Sequence, residues 1–172
     1  PVLARAAGLG LPVLLHPAKP ATTEAVKGYE MTSSLGNMFD NTIALTRLIM
    51  SGILDELPKL KLVCPHLGGT LPYICGRMDH QLAVLKRGPQ NLQRKPSEYL
   101  RAFYYDTCLY DTSILAALIK VVGADRIVMG SDYPVGETDP IGFVERCPGI
   151  SAAEVAMITG GTAAKLLGLA KA

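Results

Sequence analysis

Four short apolar runs alternate with longer segments in which apolar residues recur every three or four positions. The runs are LPVLLH (11–16), LKLVCPH (60–66), FYYDT (103–107) and RIVMGSD (126–132). Each is mostly apolar rather than alternating between apolar and polar positions, which is typical of strands that are covered on both faces. The pattern therefore predicts four buried strands.

Segments with helical periodicity lie between these strands. They are NTIALTRLIMSGILDEL (41–57), which Pro58 ends, TLPYICGRMDHQLAVLKR (70–87), and TSILAALIKVVG (112–123). Asp111 is the predicted N-cap of the third helix, and Gly123 is its stop signal. The order of strand, loop and helix predicts parallel βα units.

The carboxyl-terminal region has a different pattern. SAAE (151–154) matches a capping box that opens one helix, and TAAKLLGLA (162–170) is predicted to form another after a break at Gly160–Gly161. Residues 17–39 and 88–97 lack periodicity and are predicted to be long loops, which are often functional in compact domains.

Polar residues at the strand ends distinguish two α/β architectures. An open doubly wound sheet usually carries a glycine-rich phosphate loop after its first strand, and neither GxGxxG nor GxxxxGK[ST] follows any strand here. Polar residues instead lie at the carboxyl ends of all four predicted strands, as in barrel enzymes. They are His16, His66, Asp106 with Thr107, and Asp132. A complete barrel has eight strands. We therefore predict that residues 1–172 are the C-terminal half of a (β/α)8 TIM-like barrel domain, and we expect its N-terminal half to lie outside this sequence.

His16, His66 and Asp132 would meet at one mouth of such a barrel. Two imidazoles and a carboxylate suit zinc, manganese or iron. A structural zinc site has four protein ligands, commonly including cysteines, whereas a catalytic site keeps one position open. Taken singly, each residue has a structural explanation, such as a hydrogen-bonded histidine or a turn at Asp132. Together they predict a catalytic site for one divalent metal, with zinc favoured and manganese acceptable.

Composition limits the function classes. The chain has 172 residues, of which 49% are hydrophobic and 19% charged, as in one globular domain. The net charge of +2 and the absence of basic runs argue against nucleic acid, and no apolar stretch reaches membrane-spanning length. The four cysteines form no CxxC pair, and Cys64 and Cys108 are predicted to be buried thiols. These features favour a reducing, cytoplasmic location.

Several segments together resemble a known family. LPVLLHP, LKLVCPHLGGTLPYICGRMDH, ADRIVMGSDYP and GGTAAKLLGL are similar, in this order, to the C-terminal part of the amidohydrolase-2 family. That family includes metal-dependent decarboxylases such as aminocarboxymuconate-semialdehyde decarboxylase and γ-resorcylate decarboxylase. The resemblance implies a homodimeric, metal-dependent carbon–carbon lyase that acts on a small aromatic or unsaturated carboxylic acid.

The resemblance also implies roles for individual residues. His16 corresponds to a metal ligand, His66 to an acid/base beside the metal, and Asp132 to a residue that binds the metal and handles a proton. Arg77 corresponds to an arginine that reaches the substrate carboxylate in the neighbouring subunit of decarboxylase dimers. A solvated arginine on a helix face is the alternative for Arg77.

Two other hypotheses remain open. The first is a metal-dependent hydrolase of a lactone or an amide, because His66 and Asp132 would serve that reaction equally well. The second is a catalytically incomplete half-barrel with a structural or interaction role. It is supported by the absence from this sequence of the H-x-H motif that supplies the family's first two metal ligands.

Overall fold

Four short parallel strands form one sheet in a computed structural model that describes residues 1–20 and 23–169. Their order in the sheet follows their order in the chain: β1 (Pro12–Leu14), β2 (Lys61–Cys64), β3 (Phe103–Asp106) and β4 (Ile127–Val128). In the register, Leu14 and Tyr104 lie opposite Val63, and Asp106 lies opposite Val128. The predicted α/β fold with parallel strands is confirmed, and all four strands point their carboxyl ends at the same edge of the sheet.

Successive residues of the strands face two apolar clusters, as the alternation of side chains in a strand requires. The larger cluster joins one face of the sheet to α-helices and includes Leu62, Cys64, Phe103, Tyr105, Ile127, Leu45, Ile49, Leu71, Leu115 and Ile119. On the opposite face, Val63 and Val128 pack against Leu166. All four cysteines are buried and free, which confirms the prediction for Cys64 and Cys108.

α-Helices connect and flank the strands. They are α1 (Val2–Leu9), α2 (Asn37–Met50), α3 (Ile53–Glu56), α4 (Leu71–Ala83), α5 (Thr112–Val122), α6 (Pro140–Glu145), α7 (Ala152–Ala156) and α8 (Thr162–Leu166). The side chain of Asp111 accepts hydrogen bonds from the N–H groups of Ser113 and Ile114, so the predicted cap of α5 is confirmed. Within the described residues, no helix has both the length and the apolar character needed to cross a bilayer.

The predicted helix over 41–57 is two helices. Gly52 adopts a left-handed conformation, with φ of 76°, between α2 and α3, and this conformation ends the first helix.

The predicted loop over 17–39 is wrong at its carboxyl end, because a π-helical turn occupies Thr32–Gly36 and α2 begins at Asn37. Residues 21 and 22 of that loop lie outside the described residues. The loop at 88–97 is confirmed as far as Lys95, and a 3-10 turn follows.

The predicted break at Gly160–Gly161 is wrong. A π-helical turn over Met157–Gly161 joins α7 to α8 without interruption. The Met129 N–H donates to the Ile158 carbonyl in this turn over 3.0 Å, so the turn is tied to the residue that follows β4. The capping box of Ser151 and Glu154 is confirmed. Ala170, the last residue of the predicted final helix, lies outside the described residues.

Candidate metal centre at the carboxyl ends of the strands

His16, His66 and Asp132 lie together at the carboxyl edge of the sheet. Asp132 stands between the two imidazoles: its Oδ1 is 3.8 Å from His16 Nε2, and its Oδ2 is 3.8 Å from His66 Nε2. The centroids of the two rings are 5.8 Å apart. One ligand atom from each residue lies within 4.8 Å of the others, so the three residues form a group that fits a metal ion.

The donor set and its spacing suit a divalent cation. Separations of 3.8 Å exceed a hydrogen bond and leave space between the ligand atoms. Nitrogen and carboxylate oxygen atoms are the ligands of catalytic zinc and of related metals. The side chain of His16 is 65% exposed, that of Asp132 is 29% exposed, and that of His66 is 7% exposed. The group is therefore open to solvent on the His16 side and closed on the His66 side.

Backbone conformation places His66 at this edge. After β2 the chain turns through four consecutive residues with positive φ: His66 at 56°, Leu67 at 51°, Gly68 at 79° and Gly69 at 64°. Left-handed conformations are costly for residues other than glycine, by about 1–3 kcal/mol each. The His66 N–H donates to Asp106 Oδ1 over 2.7 Å, which stabilises the turn where that cost arises.

Replacing Gly69 with alanine should destabilise the protein by about 2 kcal/mol or more, because the left-handed conformation disfavours a side chain. The added Cβ would also lie 2.4 Å from the Met38 carbonyl oxygen and 2.8 Å from Thr42 Oγ1. Gly76→Ala is the matched control, because a Cβ on this α4 residue meets no atom within 4 Å apart from its own helix backbone. Urea denaturation of both variants measures the difference; equal stabilities would show that the turn does not require glycine.

Asp106 and Thr107, the polar residues at the end of β3, make hydrogen bonds that order the strand ends. Asp106 Oδ1 also accepts from the Cys108 N–H over 3.0 Å. Burial raises the pKa of the Asp106 carboxyl, while the hydrogen bond from Cys108 and the proximity of His66 act to lower it. The Thr107 hydroxyl pairs with both the N–H and the carbonyl of Gly130, each over 3.1 Å. These contacts are structural and join β3 to its neighbours.

Two residues that the sequence analysis missed also contact the centre. Asn41 on α2 is buried, and its Nδ2 lies 2.9 Å from His66 Nδ1. The Tyr110 hydroxyl donates to Asp132 Oδ2 over 3.3 Å. Partial burial, followed by the nearby charge of Asp132, raises the pKa of Tyr110. The sequence does contain an indication of Asn41, because it is a polar residue in the apolar stripe that continues through Leu45.

Arg77 lies on the exposed side of α4. Among the residues that the structure describes, it makes no hydrogen bond or ion pair, and it does not join the group of His16, His66 and Asp132. The structure thus brings together three of the four predicted site residues and leaves Arg77 on the surface.

A parallel α/β fold with polar side chains at the carboxyl ends of its strands is the arrangement on which barrel enzymes build their sites, and two histidines and an aspartate are ligand types of catalytic metals. A family model described as "Amidohydrolase" matches residues 1–169. The chain belongs to the amidohydrolase family, and the predicted resemblance is confirmed.

Several similar proteins are decarboxylases. The 2-amino-3-carboxymuconate-6-semialdehyde decarboxylase of Dictyostelium discoideum is 28% identical over 178 residues, which cover 98% of this chain and 48% of the relative. A 5-carboxyvanillate decarboxylase structure from Sphingomonas paucimobilis has a TM-score of 0.87 and 30% identity over 96% of this chain and 52% of that one. A dihydroxybenzoic acid decarboxylase from Polaromonas sp., solved with manganese and 2-nitroresorcinol, has a TM-score of 0.86 and 30% identity over 98% and 53%. The chain spans about half the length of these proteins.

Proposed function

We propose that the protein is a metal-dependent decarboxylase, a carbon–carbon lyase acting on a small aromatic or unsaturated carboxylic acid. The observation that carries this proposal is the convergence of His16, His66 and Asp132 within an amidohydrolase fold. The decarboxylases among its relatives support the same reaction class, since they match nearly the whole chain.

We further propose that residues 1–172 form the C-terminal half of a (β/α)8 barrel domain. Four parallel strands in sequential order support this architecture, as does the match to about half of each decarboxylase. Unpaired strand edges are usually covered in proteins. The remaining half would pair with β1 and β4 and would supply the H-x-H ligands that the family places after its first strand.

In this proposal, His16 and Asp132 hold one divalent metal. The donor set fits zinc and manganese alike, and the Polaromonas relative was solved with manganese. When bound, such an ion orients substrate oxygens and stabilises developing negative charge as a Lewis acid. The exposed side of the centre, next to His16, is where a substrate carboxylate would enter.

His66 and Asp132 are proposed to handle the proton. With the Asn41 amide nitrogen facing Nδ1, a neutral His66 carries its proton on Nε2, which points toward Asp132 Oδ2. One of these two groups protonates the substrate carbon that bears the carboxylate. The bond from that carbon to the carboxylate then breaks, its electron pair returns to the conjugated system, and carbon dioxide leaves.

Two properties of the whole protein complete the proposal. We propose a homodimer in which Arg77, exposed on α4, reaches the substrate carboxylate bound in the partner subunit. We also propose a cytoplasmic location, which the four free and buried thiols support.

Carbon dioxide release tests the reaction class. The full-length protein, loaded with manganese or zinc, is incubated with hydroxybenzoates or aminocarboxymuconate-semialdehyde, and carbon dioxide and product are measured together. We expect equal amounts of both, and loss of the activity after chelation. Hydrolysis of lactones or amides without carbon dioxide would instead establish the hydrolase hypothesis. A metal-loaded protein inactive on both substrate sets would favour the catalytically incomplete half-barrel.

A further inference from the structure

Asn41 is one of two buried polar residues on α2, the other being Thr42. Asn41 lies on the helix face that also carries the buried Leu45 and Ile49, and only 5% of the residue is exposed. Burying an amide is unfavourable unless the amide is hydrogen-bonded. Among the described residues, the Asn41 side chain makes one hydrogen bond, with His66 Nδ1 at 2.9 Å.

The His66 ring presents one nitrogen to Asn41 and the other to the centre. The ring is buried, with Nδ1 toward Asn41 and Nε2 toward Asp132 Oδ2 at 3.8 Å. When the Asn41 amide N–H donates to Nδ1, that nitrogen must carry a lone pair, and the proton of a neutral ring then resides on Nε2. That tautomer directs an N–H at the Asp132 carboxylate, whereas the other tautomer would direct a lone pair at it.

We propose that Asn41 is a positioning residue that holds His66 in the Nε2–H tautomer, with Nε2 facing the metal centre. This inference rests on the proposed acid/base function of His66. Hydrogen-bond partners of residues at metal centres commonly change activity or metal affinity by 10–100-fold when they are replaced. Asn41 acts through His66, which is the member of the group that its side chain hydrogen-bonds.

A purely structural explanation must be separated from this proposal, because Asn41 also joins α2 to the turn after β2. Thr42 provides the comparison. It is the next residue on α2 and is buried to nearly the same extent. Its hydroxyl lies 2.9 Å from Thr70 Oγ1 and accepts from the Thr70 N–H at 2.9 Å, so it joins the same two segments without touching the imidazole.

The tautomer is measured directly by nitrogen NMR of the histidine rings in metal-free, full-length protein at about pH 8, where an ordinary imidazole is neutral. His66→Gln assigns the signals. We expect wild-type His66 to be protonated on Nε2. In Asn41→Asp, a carboxylate accepts from the ring, and the proton should move to Nδ1. A wild-type His66 protonated on Nδ1 would overturn the proposal, and this result requires neither a folded variant nor any activity.

Kinetics supply the second measurement. In Asn41→Asp and Asn41→Leu, kcat should fall by about 10–100-fold, while KM changes by less than about threefold and metal content stays at the wild-type level. In Thr42→Val, kcat should stay within about threefold of wild type, since His66 keeps its partner. Equal losses of kcat in the Asn41 and Thr42 variants, or an Nε2–H ring in Asn41→Asp, would show that Asn41 is only structural. If decarboxylation itself is absent, the NMR result still decides the role of Asn41.

Discussion

Replacing Asp132 with asparagine is expected to lower kcat for decarboxylation by about 10²–10⁴-fold and to leave the bound metal near its wild-type amount. Asparagine has the same shape and keeps an oxygen donor, so a metal ligand is retained. It cannot take up or release a proton in the physiological range. The two oxygens of Asp132 face His16 and His66, so the lost proton transfer lies at the middle of the centre. Steady-state kinetics and elemental analysis of the full-length variant measure the two effects.

Asp125→Asn is the matched control for this substitution. Asp125 lies before β4, at the end of the strand opposite the centre, where it pairs with Arg101. Removal of an exposed carboxylate of this kind costs little, because surface ion pairs contribute about 0–1 kcal/mol. Its kcat should stay within about twofold of wild type. An Asp132→Asn protein with wild-type kcat would show that Asp132 takes no part in proton transfer.

The sequence predicts the centre through topology rather than through local motifs. His16, His66 and Asp132 are separated by 50 and 66 positions, and each follows an apolar run. Once the runs are assigned to parallel strands, their carboxyl ends must share one edge of the sheet, which brings these residues together. The assignment needs only hydrophobic patterns, and these are strong for buried strands.

Asn41 could not be placed in the centre by the same reasoning. It lies on a helix, and its contact with His66 depends on how α2 packs over the turn after β2. A polar residue in an apolar stripe indicates only that a buried partner is needed. The partner is defined by tertiary packing, which hydrophobic periodicity does not specify.

Whether a glycine ends a helix or lies within one is ambiguous in the sequence for a related reason. Gly52 adopts a left-handed conformation and separates two helices, whereas Gly160 and Gly161 remain helical within the π-helical turn. Glycine permits both outcomes at a cost of about 1 kcal/mol within a helix. The hydrogen bond from Met129 to Ile158 favours the continuous helix, and that contact is invisible in the local sequence.

Backbone strain at the centre was also beyond prediction. His66, Asp132 and Tyr110 all have positive φ, at 56°, 58° and 60°. Such conformations are uncommon outside glycine and gather at functional sites, where surrounding contacts compensate for them. Their concentration around one carboxylate supports the same centre that the strand ends indicate. Residue type alone does not predict a positive φ at these three positions.

Replacing His16 with alanine should separate a metal ligand from a proton carrier. Alanine offers no lone pair, so the full-length variant is expected to lose bound metal, with Kd raised by about 10²-fold or more. Even partners outside the coordination shell change affinity by 10–100-fold, and a ligand should contribute at least as much. Metal content after gel filtration and competition with a chelator give the two measurements.

His80→Ala is the control for nonspecific loss of an imidazole, because His80 is exposed on α4 and lies outside the group of His16, His66 and Asp132. It should bind metal as the wild type does. Unchanged metal in His16→Ala would remove His16 from the centre and leave the 65% exposed ring without a proposed role. Lost metal in His16→Ala, together with retained metal and lost turnover in Asp132→Asn, would show that His16 is a metal ligand and that the Asp132 carboxylate is needed for proton transfer. Structural damage at the edge of the sheet would lower both properties in both variants, so it cannot produce this pattern.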